Sequence, residues 1–172
     1  PVSDPLLYNL SVIGPGAMNM VTVGYRGAVM RRGTAGRIHN LIMTGYPTQA
    51  IDLRDTPTIA FAMANPARLF ANSSIFFANN PMGMQFDDNG MDMFDENMFF
   101  TNNARMNRAA DPMLPAYSPT TPNFVPMAGS PAASGAATPP TDGFFEPVTY
   151  VGAVEPGSQT NWLTGWTDYP AN

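Results

Sequence analysis

The residues best suited to chemistry in this chain form an acidic run, Asp87-Asp88-Asn89-Gly90-Met91-Asp92-Met93-Phe94-Asp95-Glu96. Carboxylate oxygens around a glycine turn suit Ca²⁺, which makes Asp87, Asp88, Asp92 and Asp95 the candidate metal ligands. The spacing is not that of an EF-hand: with Gly90 in the glycine position of the loop, the opening position falls on Gln85. The competing reading is a solvated loop. A second set, Asp52, Asp55, Asp87 and Asp88, supplies paired carboxylates of the kind that cleave glycosides when held at the right separation. Arg54 lies among them, and the simpler reading of Arg54 with Asp87 is a surface ion pair worth ~0–1 kcal/mol. His39 is the single histidine, in an expected strand with no nucleophile motif beside it, so neither a histidine-ligated metal nor a Ser-His-Asp triad is indicated. Methionines crowd between Met82 and Met113. Thioethers bind Cu(I) or make an adaptable contact surface, and the irregular spacing favours contact. Tyr150, Trp162 and Trp166 form an aromatic C-terminal set, read as a cap with a sugar-stacking platform as the alternative. No catalytic residue is assigned, and no cofactor beyond Ca²⁺ is indicated.

Composition narrows the classes. Charged residues are only 12%, about half the usual share, and a net charge of −5 argues against nucleic acid or anionic membrane as the main partner. All eight basic residues are arginine, none beyond Arg108. The absence of cysteine removes disulfides, thiolate metal sites and thiol nucleophiles. No apolar run approaches the ~18–20 residues that span a bilayer as a helix. Low charge with abundant Asn, Thr, Gly and Pro suits an extracellular or cell-surface protein. The sequons at Asn9 and Asn72 fall where inward-facing side chains are expected, which argues against glycosylation there. The chain opens at Pro1 rather than Met, so a processed, excised or incomplete product is expected.

These residues are positioned by a repeat of about 32 residues. Arg37 to Gly45 with Ala50 to Asp55 can be laid on Arg68 to Phe76 with Gly83 to Asp88, and Tyr8 to Gly14 is an earlier partial copy. Fixed-period self-similarity predicts stacked units. Short β-rich runs separated by Gly, Pro and Asn predict strands at Leu10–Ile13, Ala28–Met30, Ile38–Met43, Ala50–Leu53, Ile59–Met63, Ile75–Phe77 and Met84–Phe86. Alternation puts Ile51, Leu53, Met84 and Phe86 inward, and Asp52, Arg54, Gln85 and Asp87 outward. Asn9, Asn40 and Asn72 then stack as an inward ladder of amides.

The runs Asn9 to Pro15, Ala28 to Thr34 and His39 to Pro47 look like those of secreted bacterial right-handed parallel β-helix proteins of pectate-lyase-like type. The ending, Tyr150 to Val154 with Asn161-Trp162-Leu163-Thr164-Gly165-Trp166-Thr167, is similar to the segment that closes many of them. The resemblance spans about two thirds of the chain. It implies an all-β, right-handed parallel β-helix (solenoid), here the C-terminal part of a longer one. No catalytic motif of the β-helix lyases carries over.

The expected organisation is β-solenoid rungs over 1–110, a Pro/Ala/Ser/Thr-rich extended segment over 111–147 anchored by Phe124, Phe144 and Phe145, and a C-terminal aromatic cap over 148–172 with a strand at Val148–Val154. The expected role is a non-catalytic structural or interaction module of an exported protein or extracellular assembly. Its partners would be other protein subunits or earlier rungs of the same protein. The alternatives are a carbohydrate-binding or polysaccharide-cleaving β-helix, or an accessory subunit of a larger complex.

Overall fold

A computed structural model describes residues 2–16, 18, 25–86, 94–115, 123–160 and 162–163. Strand β1 is Leu6–Ile13, β2 Ala28–Met30, β3 Gly36–Thr44, β4 Ile51–Leu53, β5 Leu69–Asn72 and β6 Ile75–Phe77. Helix α1 is Thr56–Met63 and α2 is Glu96–Thr101. One sheet has the order β1-β3-β5, with β6 also on β3; the other consists of β2 and β4. All pairings are parallel.

The architecture is therefore a small α/β domain with short parallel strands in two sheets, which corrects the expectation of an all-β right-handed parallel β-helix solenoid. No closed or solenoidal sheet is found among the described residues. Three segments depart from the expected coil. Ile59–Met63 lies in α1, not a strand. The helix starts where it does because the Asp55 carboxylate accepts from Thr58 N–H at 3.0 Å and a proline occupies its first turn, the residue types that favour a helix N-terminus. Met84–Phe86 contributes a single bridge, Ile51 to Phe86. Val148–Val154 forms bends instead of a strand.

Inside and outside also differ from simple alternation. Ile51 and Leu53 are buried, but so is Asp52, at 0% exposure. Arg26 Nε stands 3.0 Å and Arg54 Nη2 2.7 Å from its carboxylate, so two guanidiniums roof the charge. Met84 is exposed, whereas Gln85 turns in, accepting from Asn79 Nδ2 and donating from Nε2 to Phe76 O at 3.1 Å.

The main core lies between the sheets and helices and contains Leu41, Met43, Ile51, Leu53, Ile59, Leu69 and Phe76. Phe86 continues it, edge-on to Phe76 and stacked on Phe100 of α2, both with ring centroids 4.8 Å apart. A second cluster covers the opposite face of β3: Ile42 and Ile75 meet Leu114, Ala132 and Val151. The C-terminal half of β3 is thus buried on both faces, which accounts for its nearly unbroken apolar run Leu41-Ile42-Met43. Leu114 and Ala132 anchor the Pro-rich segment, and Val151 the segment that follows it. The expected aromatic anchors are more peripheral: Phe145 packs on Tyr8 at 5.0 Å, and Phe144 leans on Phe145 while largely exposed.

Removing one member of a buried ion pair leaves charge without its partner. Asp52→Asn is therefore expected to lower stability by about 2 kcal/mol, since both arginines are partly solvated. Arg54→Ala should cost less, because Arg26 remains. Urea denaturation of the two variants measures the difference.

Candidate binding cleft on the C-terminal segment

The cleft is built on a left-handed corner of the sheet. Asn9 lies opposite Asn40 in the β1–β3 register, and both have positive φ, 56° and 58°. Asparagine enters this region at lower cost than most L-residues. The equivalent corner further along is Ser73 (φ 52°), because His39 pairs with Asn72 and Ile42 with Ile75. Asn40 Nδ2 donates to Asn9 Oδ1 at 3.1 Å, but Asn72 lies one position out of that line. The expected three-membered ladder is therefore a pair. In place of a third asparagine amide, the Ser74 hydroxyl accepts from Leu41 N–H at 3.0 Å.

The asparagine pair turns to the C-terminal segment instead. Asn40 Nδ2 also donates to Ala137 O, while its Oδ1 accepts from Ala137 N–H at 2.7 Å. Asn9 Nδ2 donates to Tyr150 O at 2.8 Å and to Gly152 O at 3.1 Å. Gly152 N–H donates to Asn40 O, and the Ser11 hydroxyl accepts from Ala153 N–H. Gly152 has φ +95°, and a Cβ there would sit 2.5 Å from Ile42 Cδ1. The chain can lie this close to β3 only with glycine at that position.

With Tyr150–Ala153 held this way, Trp162 is tied down by its indole N–H, which donates to Ala153 O at 2.9 Å. Tyr150, Val154, Glu155, Ser158, Thr160 and Trp162 surround an open cleft of about 350 Å³. Trp162 is 58% exposed although its nitrogen is fixed. Partial burial raises the Tyr150 hydroxyl pKa, and the negative charges of Glu155 and Glu146 raise it further. The Ser158 hydroxyl donates to Thr160 O at 2.6 Å.

The other candidates are dispersed. Asp87, Asp88 and Asp92 lie outside the described residues, as does Trp166. Asp95 caps α2, accepting from Met98 N–H at 2.6 Å. Asp55 caps α1, and the backbone N–H of Arg32, with Thr58 and Gly33, holds its carboxyl below the usual range. Among the described residues no group of three or more His, Asp or Glu gathers to hold a metal. Met82, Met84, Met98 and Met106 are exposed on different segments, and Met91 and Met93 are outside the described residues. A second, apolar cavity of about 190 Å³ lies by Phe76, Phe86 and Phe100, but the Arg108 guanidinium at its rim is engaged with Pro131 O and Ser134 O.

His39 belongs to an aromatic row. Its ring stacks on Tyr8 at 4.6 Å and 7°, with Phe70 edge-on at 5.4 Å. Nδ1 is buried without a hydrogen-bond partner among the described residues. Burial, with the Arg37 charge nearby, pushes its pKa below the ordinary 6.5. Sequence reasoning missed this role because it asked what chemistry a lone histidine performs, while Tyr8 and Phe70 at matching repeat positions were the available signal. Comparison with protein-family models, curated proteins and solved structures returns no match.

Two outcomes are expected. Asn40→Ala removes three buried hydrogen bonds and places alanine at positive φ, so stability should fall by about 3 kcal/mol, and limited proteolysis should cut residues 128–160 first. For His39, the folded state binds fewer protons than the unfolded chain. Its contribution is complete above the unfolded pKa of about 6.5 and is lost as pH falls toward the lower folded value. Melting temperatures at about pH 7 and pH 5 should therefore diverge less in His39→Phe than in the unaltered protein.

Proposed function

We propose that this chain is a non-catalytic interaction module of an exported, multi-subunit assembly, and that it joins the assembly by accepting a β-strand from a neighbouring subunit along β1. The observation that carries this reading is the outer edge of β1. Among the described residues, β1 pairs with β3 alone, although it is eight residues long. Arg37 N–H donates to Pro5 O, so along the alternating backbone the N–H and C=O groups of Leu6 and Tyr8 face away from β3. An edge of this kind is a template for another strand. The other sheet likewise ends on β2, and Leu7 and Val29 of the two end strands are exposed. Low charge and the abundance of Asn, Thr, Gly and Pro support an exported setting. Among the described residues no helix is long and apolar enough to cross a membrane.

Several positions of the β1–β3 register pair like with like: Leu7 faces Ile38, Leu10 faces Leu41, Val12 faces Met43, and Asn9 bonds Asn40. The probe is therefore a peptide with the β1 sequence, Leu6–Ile13. It should bind saturably and slow amide exchange at Leu6 and Tyr8. Proline at Leu6 removes an outward donor and leaves the ladder to β3 intact, so Leu6→Pro should abolish binding at an unchanged melting temperature. No binding, or binding indifferent to Leu6→Pro, would sink the proposal.

A further inference from the structure

We propose that the cleft between Tyr150 and Trp162 is a binding site for an alkylated ammonium group, with Glu155 as its counter-charge. The site is independent of the β1 edge. Three observations converge on a cationic rather than a neutral ligand.

The first is the distribution of charge. Residues 1–108 hold eight acidic and eight basic side chains and are neutral, so the net charge of −5 lies wholly beyond Arg108. Asp111, Asp142, Glu146, Glu155 and Asp168 stand in a segment without a single basic residue. The cleft lies in this segment, and Glu155 is part of its wall. Neither Glu155 nor Glu146 has an ion-pair partner among the described residues. Both act electrostatically on the Tyr150 hydroxyl and raise its pKa, after burial.

The second is the pairing of aromatic surface with negative charge. Tyrosine and tryptophan faces are negative and attract cations, tryptophan most strongly. Trp162 is held by its hydrogen bond to Ala153 O, so little ordering remains for a ligand to impose.

The third is the make-up of the lining. Here the Trp162 N–H is committed to Ala153 O and the Ser158 hydroxyl to Thr160 O. The lining combines the acidic Glu155 with the aromatic Tyr150 and Trp162 and the aliphatic Val154, beside Ser158 and Thr160. An alkylated ammonium needs no donors and buries methyl groups against rings, so it matches this lining. The volume of about 350 Å³ accommodates such a head group with its attached chain.

The group has two chemical sources: a free organic cation, or a methylated lysine on a partner protein. Both are titrated into the whole chain as choline and as a blocked trimethyl-lysine tripeptide. Binding is followed by isothermal titration calorimetry, a readout that survives the loss of either tryptophan. Saturable binding of either is expected, weakening as salt rises. The uncharged carbon isostere of choline should bind at least about tenfold more weakly than choline. Glu155→Gln and Trp162→Ala should each weaken choline about three- to tenfold, with unchanged circular dichroism showing that both fold. Tighter binding of the tripeptide than of choline assigns the group to a partner protein; equal binding assigns it to a free cation. The proposal is overturned if the isostere binds as well as choline, if both variants bind normally, if neither cation binds, or if a neutral oligosaccharide occupies the site instead.

Discussion

Asn40 brings a whole amide group into the interior at 0% exposure, and the position of much of the chain depends on how that amide is satisfied. An amide buried without partners costs several kcal/mol. Its donors go to Asn9 Oδ1 and Ala137 O, and its acceptor receives Ala137 N–H. One side chain therefore joins β1, β3 and the Pro-rich segment. The positive φ shared by Asn9 and Asn40 fixes the corner from which both amides leave the strand. A residue unable to enter that region, or lacking an amide, would undo the corner and the docking together.

A second constraint operates at β4. Asp52 lies on one side of the strand beneath Arg26 and Arg54. Glu96 of α2 is also fully buried, and its Oε1 accepts from Leu53 N–H at 3.3 Å. The short strand is thus tied to three parts of the chain by polar contacts, in addition to the apolar packing of Ile51 and Leu53. Polar groups in such places specify a geometry more than they add stability, because each carries a desolvation cost. Three residues of β4 would otherwise have little to set their register.

The same economy governs the C-terminal segment. It has no regular strand among its described residues, yet it is ordered by backbone groups: Val151 N–H to Ala132 O, Gly157 N–H to Pro126 O, and the contacts of Asn9 and Ser11. Small residues, Ala132 and Gly152, let the backbone approach β3 closely enough to make them. On this support Tyr150 and Trp162 line the cleft beside an acidic segment. The β1 edge, by contrast, is a feature of the sheet itself. The molecule offers one surface that pairs through backbone groups and another that selects by side-chain chemistry.

What the sequence determined by itself was local. Short β-rich runs between turn residues located β2, β6 and most of β3, and the offset between Asn9 and Asn40 placed those residues opposite each other. The first turn of α1 was also written in Asp55-Thr56-Pro57-Thr58, but the apolar run after it satisfies a short strand equally well. Only the tertiary structure decided that Asp52 is buried, because Arg26 comes from before β2 to cover it. Only the tertiary structure put Ser73 rather than Asn72 at the third corner, since β5 pairs with β3 two residues further along than β3 pairs with β1, which shifts register without changing composition. The repeat did not fix whether the units close into a coil, and here α1 and an irregular C-terminal segment leave two open sheets. Periodicity reports which face of an element is apolar. What covers that face is a long-range fact, set by the competition of distant segments for the same hydrogen bonds and the same surface.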